Sequence, residues 1–326
     1  MLKRVRLEAS AAAAILALSL VLLVWAPGFF EAGNLVDVLV ANLPVLLVAL
    51  GATLVIIAGE IDISVGSVFA VCSVVSGALA AAGVPVVVAA LAAPALGVVL
   101  GAATGTLVAY LRIPSIVATL AAMVVLRDLL RWVTQGEWIQ GLPADFQWLG
   151  LGQGRYPFVA SLIAVAVTLG LGWSLRSLQG GRALYAVGSH AGAAMLFGID
   201  VARTRLSVFA LAGGLTGLAA LVNTVRFSQI PINTGLGLEM RVIAAVVVGG
   251  AAIRGGRGTV IGTCLGVVLL GMSGPALTFL GVHASWERAL QGAIILAAVS
   301  VEILRPRAEA TRPVVSMDRE PPRVSA

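Results

Sequence analysis

Apolar residues fall in long runs along this chain, and polar residues gather in the gaps between them. Ten runs can be drawn as spans: 9–27, 38–58, 64–82, 85–109, 115–133, 158–175, 206–225, 241–254, 259–281 and 287–304. A stretch of roughly 18 or more apolar residues crosses a hydrocarbon core of about 30 Å as a helix. In lipid the backbone must satisfy its own hydrogen bonds, which selects helices or closed barrels. The alternating segments of about ten residues that mark a barrel are absent. The pattern therefore predicts an all-α, polytopic integral membrane protein. The eighth run is short and predicts a half-helix or a partly buried segment. Pro85, Pro94, Pro114 and Pro157 mark span boundaries or kinks. Glycines spaced as in Gly97-Val-Val-Leu-Gly101 let helix backbones approach closely. The apolar part of the first run exceeds a signal-peptide core of about 7–15 residues, so an uncleaved first helix is expected.

The organisation follows from the gaps. Residues 1–304 read as one transmembrane domain with a cytoplasmic loop at about 176–205. Residues 305–326, rich in proline and mixed in charge, read as a disordered tail. Composition agrees: 60% of the 326 residues are hydrophobic and 11% charged, against about 25% charged in a soluble domain. The net charge of +6 comes from arginines beside the spans, and no nucleic-acid partner is expected. Lys3, Arg4, Arg6, Arg112, Arg176, Arg182, Arg203, Arg205, Arg254, Arg257 and the tail arginines share one side of a ten-span topology. Arg127, Arg131, Arg155, Arg226, Arg241 and Arg288 are assigned to the other side. The positive-inside rule then places both termini in the cytoplasm. Cys72 and Cys264 sit in apolar runs without paired spacing, and His190 and His283 fall on opposite sides, so no metal site is expected. No phosphate-binding GxxxxGK[ST] motif occurs.

Three polar regions carry candidate chemistry. In "GEIDISVGS", Glu60 and Asp62 stand between two spans, where a carboxylate is expensive unless it faces a bundle interior or a water-filled cavity. They read as groups lining a pathway or gate, or as helix-end residues, with Asp62 or Ser64 capping the next helix. Gly66 and Ser67 allow tight packing beside them. In "GGRALYAVGSHAGAAMLFGIDVARTR" a short helix is expected over Ala191–Phe197, stopped by Gly198. Its apolar face would hold Ala194, Met195, Phe197 and Ile199, suited to a lipid surface or to a groove on a partner. Polar groups within spans, Asn42, Thr119 and Asn223, serve as interhelical contacts or as pathway ligands. Glu239 stands just before the eighth run. Asn42, Glu60, Asp62, Ser64, Gly66, Ser67, Thr119, Asn223 and Glu239 are thus the candidates for a translocation pathway or gate.

Four segments in order, "GEIDISVGS", "PSIVATLA", "AVGSHAGAAMLFGIDVARTR" and "GLEMRVIAAVVVGGAAIRGGRGTVIGTCLGV", resemble the permease subunits of monosaccharide-type ABC importers, the ribose, xylose, rhamnose and autoinducer-2 group. The resemblance runs from about Asn34 to Glu302. It implies a multi-pass protein of the bacterial inner membrane that is not itself an enzyme and binds no cofactor. It implies a second permease copy, identical or not, a periplasmic or lipid-tethered sugar-binding protein, and a separate ATPase that hydrolyses the ATP. Ala191, Ala193, Ala194, Met195, Phe197, Gly198 and Ile199 would form the helix that couples to that ATPase. Ala191 and Gly192 depart from the acids usual there, and Met195 from a basic residue. "GEID" replaces the commoner "GGID", and Met240-Arg241 depart from the usual residues after Glu239. The alternatives are a permease of a branched-chain amino-acid importer, of similar ground plan, and an ion-coupled secondary transporter.

Overall fold

The computed structural model describes residues 2–283, 285–287, 289–293 and 296. These residues form helices α1 (Leu2–Trp25), α2 (Ala32–Ile57), α3 (Val65–Ala81), α4 (Val86–Ala109), α5 (Ser115–Thr134), α6 (Gly152–Ser177), α7 (Gln179–Leu196), α8 (Val201–Thr224), α9 (Leu238–Val248) and α10 (Val260–Phe279). Short 3₁₀ turns lie at Pro27–Phe30 and Gln147–Gly150, and one isolated antiparallel bridge joins Ile139 to Ile230. The first nine predicted spans each correspond to a helix, with ends shifted by a few residues. The tenth span and the tail fall outside the described residues, apart from a few positions.

Six helices among the described residues are long and apolar enough to cross a membrane: α1, α2, α4, α6, α8 and α10. The other three predicted spans differ for physical reasons. α3 has 17 residues, and α5 carries Arg127, Asp128 and Arg131. α9 has only 11 residues, about 17 Å of helix, so it is the expected half-helix.

α2 is the centre of the bundle. Every residue from Leu43 to Ala58 except Leu46 is buried, as expected of a helix that is apolar on all sides. α8 packs against it, and α4 crosses α8 on another side with almost no side chain between the two backbones. A Cβ on Gly97 would lie 2.2 Å from the carbonyl oxygen of Gly213, and one on Gly217 2.2 Å from that of Ala93. The glycine spacing read from the sequence thus marks a real seam. Pro85 and Pro114 sit at the starts of α4 and α5, whereas Pro94 and Pro157 lie within helices.

The outer helices present the opposite surface. Leu20 and Trp25 of α1, Leu91 and Val99 of α4, and Phe158, Leu169 and Trp173 of α6 are exposed. Contiguous apolar surface of this kind is stable only against lipid or another protein. α1 is the most peripheral. It seats Leu22 and Ala26 beside Phe29 and Ala276, and the Thr259 hydroxyl donates to the Glu8 carboxylate at 2.6 Å.

Candidate functional site

The chain between α2 and α3 is held from several directions. α2 ends where Gly59 turns into the left-handed region, φ +82°, which glycine adopts without strain. The Ile61 N–H then donates to the Ser115 hydroxyl at 3.2 Å, and the Thr119 hydroxyl reaches the Ile61 carbonyl at 3.5 Å. This ties the junction to the first turns of α5. Asp62 accepts from both the backbone N–H and the hydroxyl of Ser64, at 2.8 and 2.6 Å. The sequence reading had Asp62 or Ser64 accepting from the first turn of α3. Instead Asp62 forms an Asx turn ahead of the helix, and the Ser64 hydroxyl is a donor. Asp62→Ala should leave both Ser64 donors buried without an acceptor and lower stability by about 2 kcal/mol. Thermal unfolding of the detergent-solubilised protein measures this.

Glu60, also buried, faces Arg205 of α8, with Arg205 Nε 2.7 Å from Glu60 Oε1. The same junction meets a glycine of α7 and one of the loop between α9 and α10. The N–H of Gly256 donates to the Ile57 carbonyl at 2.9 Å, and a Cβ on Gly188 would fall 1.7 Å from that carbonyl oxygen.

A second cluster lies where α3 and α9 begin. Glu239 stands in the first turn of α9, and its carboxylate and the Gly235 carbonyl lie where a Cβ on Gly66 would go. Arg127 of α5 is buried and donates to the carbonyls of Gly66, Thr234 and Ile232 at 3.1, 3.0 and 3.3 Å. Counted from sequence with the flanking arginines, it is instead an interior clamp on two broken helix starts. Ser67 donates to the Met123 carbonyl at 2.8 Å. Asn42 stands apart from both clusters, accepting from Arg241 at 3.1 Å and donating to the carbonyls of Val38 and Gly271. Asn223, half-buried near the end of α8, accepts from the Arg226 N–H through its backbone carbonyl. The structure therefore gathers Glu60, Asp62, Ser64 and Thr119 at the α2–α3 junction and Gly66 with Glu239 at the half-helix. Arg127, Arg205 and Arg241, counted from sequence only as charges beside the spans, are the polar partners of these residues. Their only signal was a charge inside or at the edge of an apolar run.

The 176–205 segment contains more helix than expected. α7 begins at Gln179 and breaks at His190, which is extended at φ −162°, ψ 95°. Its Nδ1 accepts from the Ala193 N–H at 3.0 Å, so the histidine starts a new short helical stretch at Ala191. The stretch ends as expected at Gly198, φ +77°, and Asp200 caps α8 by accepting from Arg203 N at 2.9 Å. Ala193 lies on this stretch, and Ile199 follows it, its N–H donating to the Ala194 carbonyl at 3.1 Å. The predicted apolar face needs a correction at Ala194, which is buried in the protein. Met195, Leu196 and Phe197 project outward, with exposures of 60, 88 and 86%. Leu196, the most exposed, was not on the predicted face. Cys72 is buried, Cys264 is half-buried, and neither is in a disulfide. Among the described residues no cluster of histidine, cysteine and carboxylate side chains suits a metal ion.

An all-helical membrane bundle with broken helices at two polar clusters and an exposed helical tip has the build of a transporter subunit. Residues 34–299 match the family model described as the permease component of the branched-chain amino acid transport system. The chain belongs to this family. It is 39% identical over 256 residues to the autoinducer 2 import system permease protein LsrC of Salmonella choleraesuis strain SC-B67, covering 77% of this chain and 72% of that one. It is 38% identical over the same length and shares to the LsrC of Yersinia pseudotuberculosis strain YPIII. No solved structure matches. The protein is accordingly a multi-pass membrane permease.

Proposed function

We propose that this chain is the membrane-spanning subunit of an ATP-driven importer for a monosaccharide or a small polyol of the autoinducer-2 kind. The observation that carries the reading is the short helix between His190 and Gly198, which pushes Met195, Leu196 and Phe197 away from the bundle. Three adjacent apolar side chains on a capped, glycine-stopped tip suit insertion into a groove of a separate ATPase. With no acids at Ala191 and Gly192, apolar packing carries that contact. The ATPase hydrolyses the ATP, a periplasmic or lipid-tethered binding protein delivers the sugar, and a second permease copy completes the path. Both termini lie on the cytoplasmic side of the bacterial inner membrane.

The transport cycle is alternating access, with the half-helix α9 and the α2–α3 junction as the moving parts. The clusters containing Glu60, Asp62, Ser64, Gly66, Ser67, Thr119 and Glu239, with Asn42 and Asn223, supply the polar positions that line or gate the path. A neutral sugar needs distributed hydrogen bonding and few charges, which fits this inventory. Ion coupling fits less well: Glu60 is paired to Arg205, and Glu239 lies in the field of Arg127. The resemblance of "IDISVGS" to sugar permeases and the relatives' names favour a sugar over a branched-chain amino acid.

Affinity capture of the tagged chain from native membranes should recover an ATPase with Walker motifs. A Leu196→Ser, Phe197→Ser variant should reduce that recovery about tenfold, the effect of losing a central apolar anchor. Equal recovery with the variant would contradict docking through this tip. Uptake of a panel of labelled monosaccharides and branched-chain amino acids by cells expressing the system separates the two substrate classes.

A further inference from the structure

Among the described residues, the Glu60–Arg205 contact is the one ion pair closer than 4 Å that joins distant parts of the chain; the others lie within one helical turn. Its two ends belong to different machines. Glu60 follows Gly59 at the end of α2, one residue before the segment that Ser115 and Thr119 tie to α5. Arg205 lies in the second turn of α8, six residues beyond Ile199, where the exposed tip of α7 ends. No other side chain reaches from the tip's own continuation into the α2–α3 junction with a full charge.

The environment makes the pair consequential. The side chains of Glu60 and Arg205 are only 10 and 28% exposed. At such depth an ion pair adds little stability over a well-packed apolar pair, whereas stranding one partner is strongly unfavourable. The contact is close, yet Arg205 Nε has no hydrogen-bond acceptor in line. The charges are held by proximity rather than by a directional bond, and the structure shows the engaged arrangement. Beside it, Gly188 of α7 and Gly256 of the α9–α10 loop close on the Ile57 carbonyl with no side chain between. A shift of the α7–α8 unit therefore bears directly on the end of α2.

Resting on the importer reading above, we propose that Glu60 and Arg205 form a latch by which the ATPase-docking segment holds the α2–α3 junction closed on its cytoplasmic side. Engaged, the pair resists movement of α8 relative to α5, which the junction bridges. ATP binding in the ATPase docked on the tip shifts the start of α8 and separates the charges. Glu60 and Arg205 are positioning residues; neither needs to touch the transported molecule.

The experiment uses the complex captured through the tagged chain and reconstituted in proteoliposomes, with ATP as the probe. Glu60→Gln and Arg205→Gln should each raise basal ATP hydrolysis about tenfold, the scale of a typical coupling between sites. The exchanged pair Glu60→Arg, Arg205→Glu should fall back toward the native rate. Thermal unfolding of each variant in detergent separates lost folding from lost latching. Should either single variant misfold, Glu60→Asp keeps the charge with a shorter reach, and an intermediate rate is expected of it. Native rates in both single variants and in Glu60→Asp overturn the latch, as does an exchanged pair no closer to native than the single changes. A captured chain with no ATPase overturns the importer reading and the latch with it. An ATPase that copurifies but ignores these changes overturns the latch alone.

Discussion

Gly213→Leu should separate α8 from α4 and reduce stability by about 3 kcal/mol, the upper end of overpacking penalties. A Cβ at this position would stand 2.1 Å from the Gly97 carbonyl oxygen and 2.9 Å from the Gly101 Cα. Both obstacles are backbone, so no side-chain rotation relieves them. In lipid, helix association rests on close packing rather than on a hydrophobic drive, and the penalty falls on the seam that supports α2. Gly172→Leu is the control, because a Cβ at Gly172 meets nothing within 4 Å. Unfolding temperatures in detergent should drop for the first change and stay level for the second. A Gly213→Leu protein as stable as the control would mean that the seam opens without loss.

Arg127→Met should lower stability by a similar amount, about 3 kcal/mol, because it removes charge-assisted bonds to buried acceptors. Three carbonyls, those of Gly66, Ile232 and Thr234, lose their donor at once. Glu239 also loses the positive charge that acts on it. Arg127→Lys should recover only part of this, since one ammonium cannot match the planar fork that spans carbonyls of two segments. Thermal unfolding ranks the three proteins, and uptake by cells expressing them should fall in the same order. Full recovery with lysine would reduce the site to simple charge balance.

Much of the fold could be read from the runs of apolar residues, because span length and helix formation are both dictated by the bilayer. The half-helix α9 was visible as a run too short to cross. The close α4–α8 approach was visible in the spacing of Gly97 and Gly101. What pairing does inside the bundle was not. Arg127 and Arg205 look in sequence like flanking charges, and only the folded arrangement brings them to Gly66 and Glu60, 61 residues away in the first case. The docking segment shows the same limit at a smaller scale. Its stop at Gly198 follows from glycine's freedom at positive φ. Its start depends on the His190 side chain bending back to Ala193, and Ala194 turns inward because of what surrounds it rather than its spacing.

The seat of α1 has a consequence for how the molecule is made. The Glu8–Thr259 hydrogen bond closes over 251 residues, and the apolar contacts of Leu22 and Ala26 also need Ala276 of α10. At a synthesis rate of about 5–20 residues per second, the ribosome supplies Thr259 roughly 13–50 s after Glu8. For that interval α1 lacks its main neighbour α10 and has only the Pro27–Phe30 turn to pack on. The seat of α1 is thus complete only once α10 has been made.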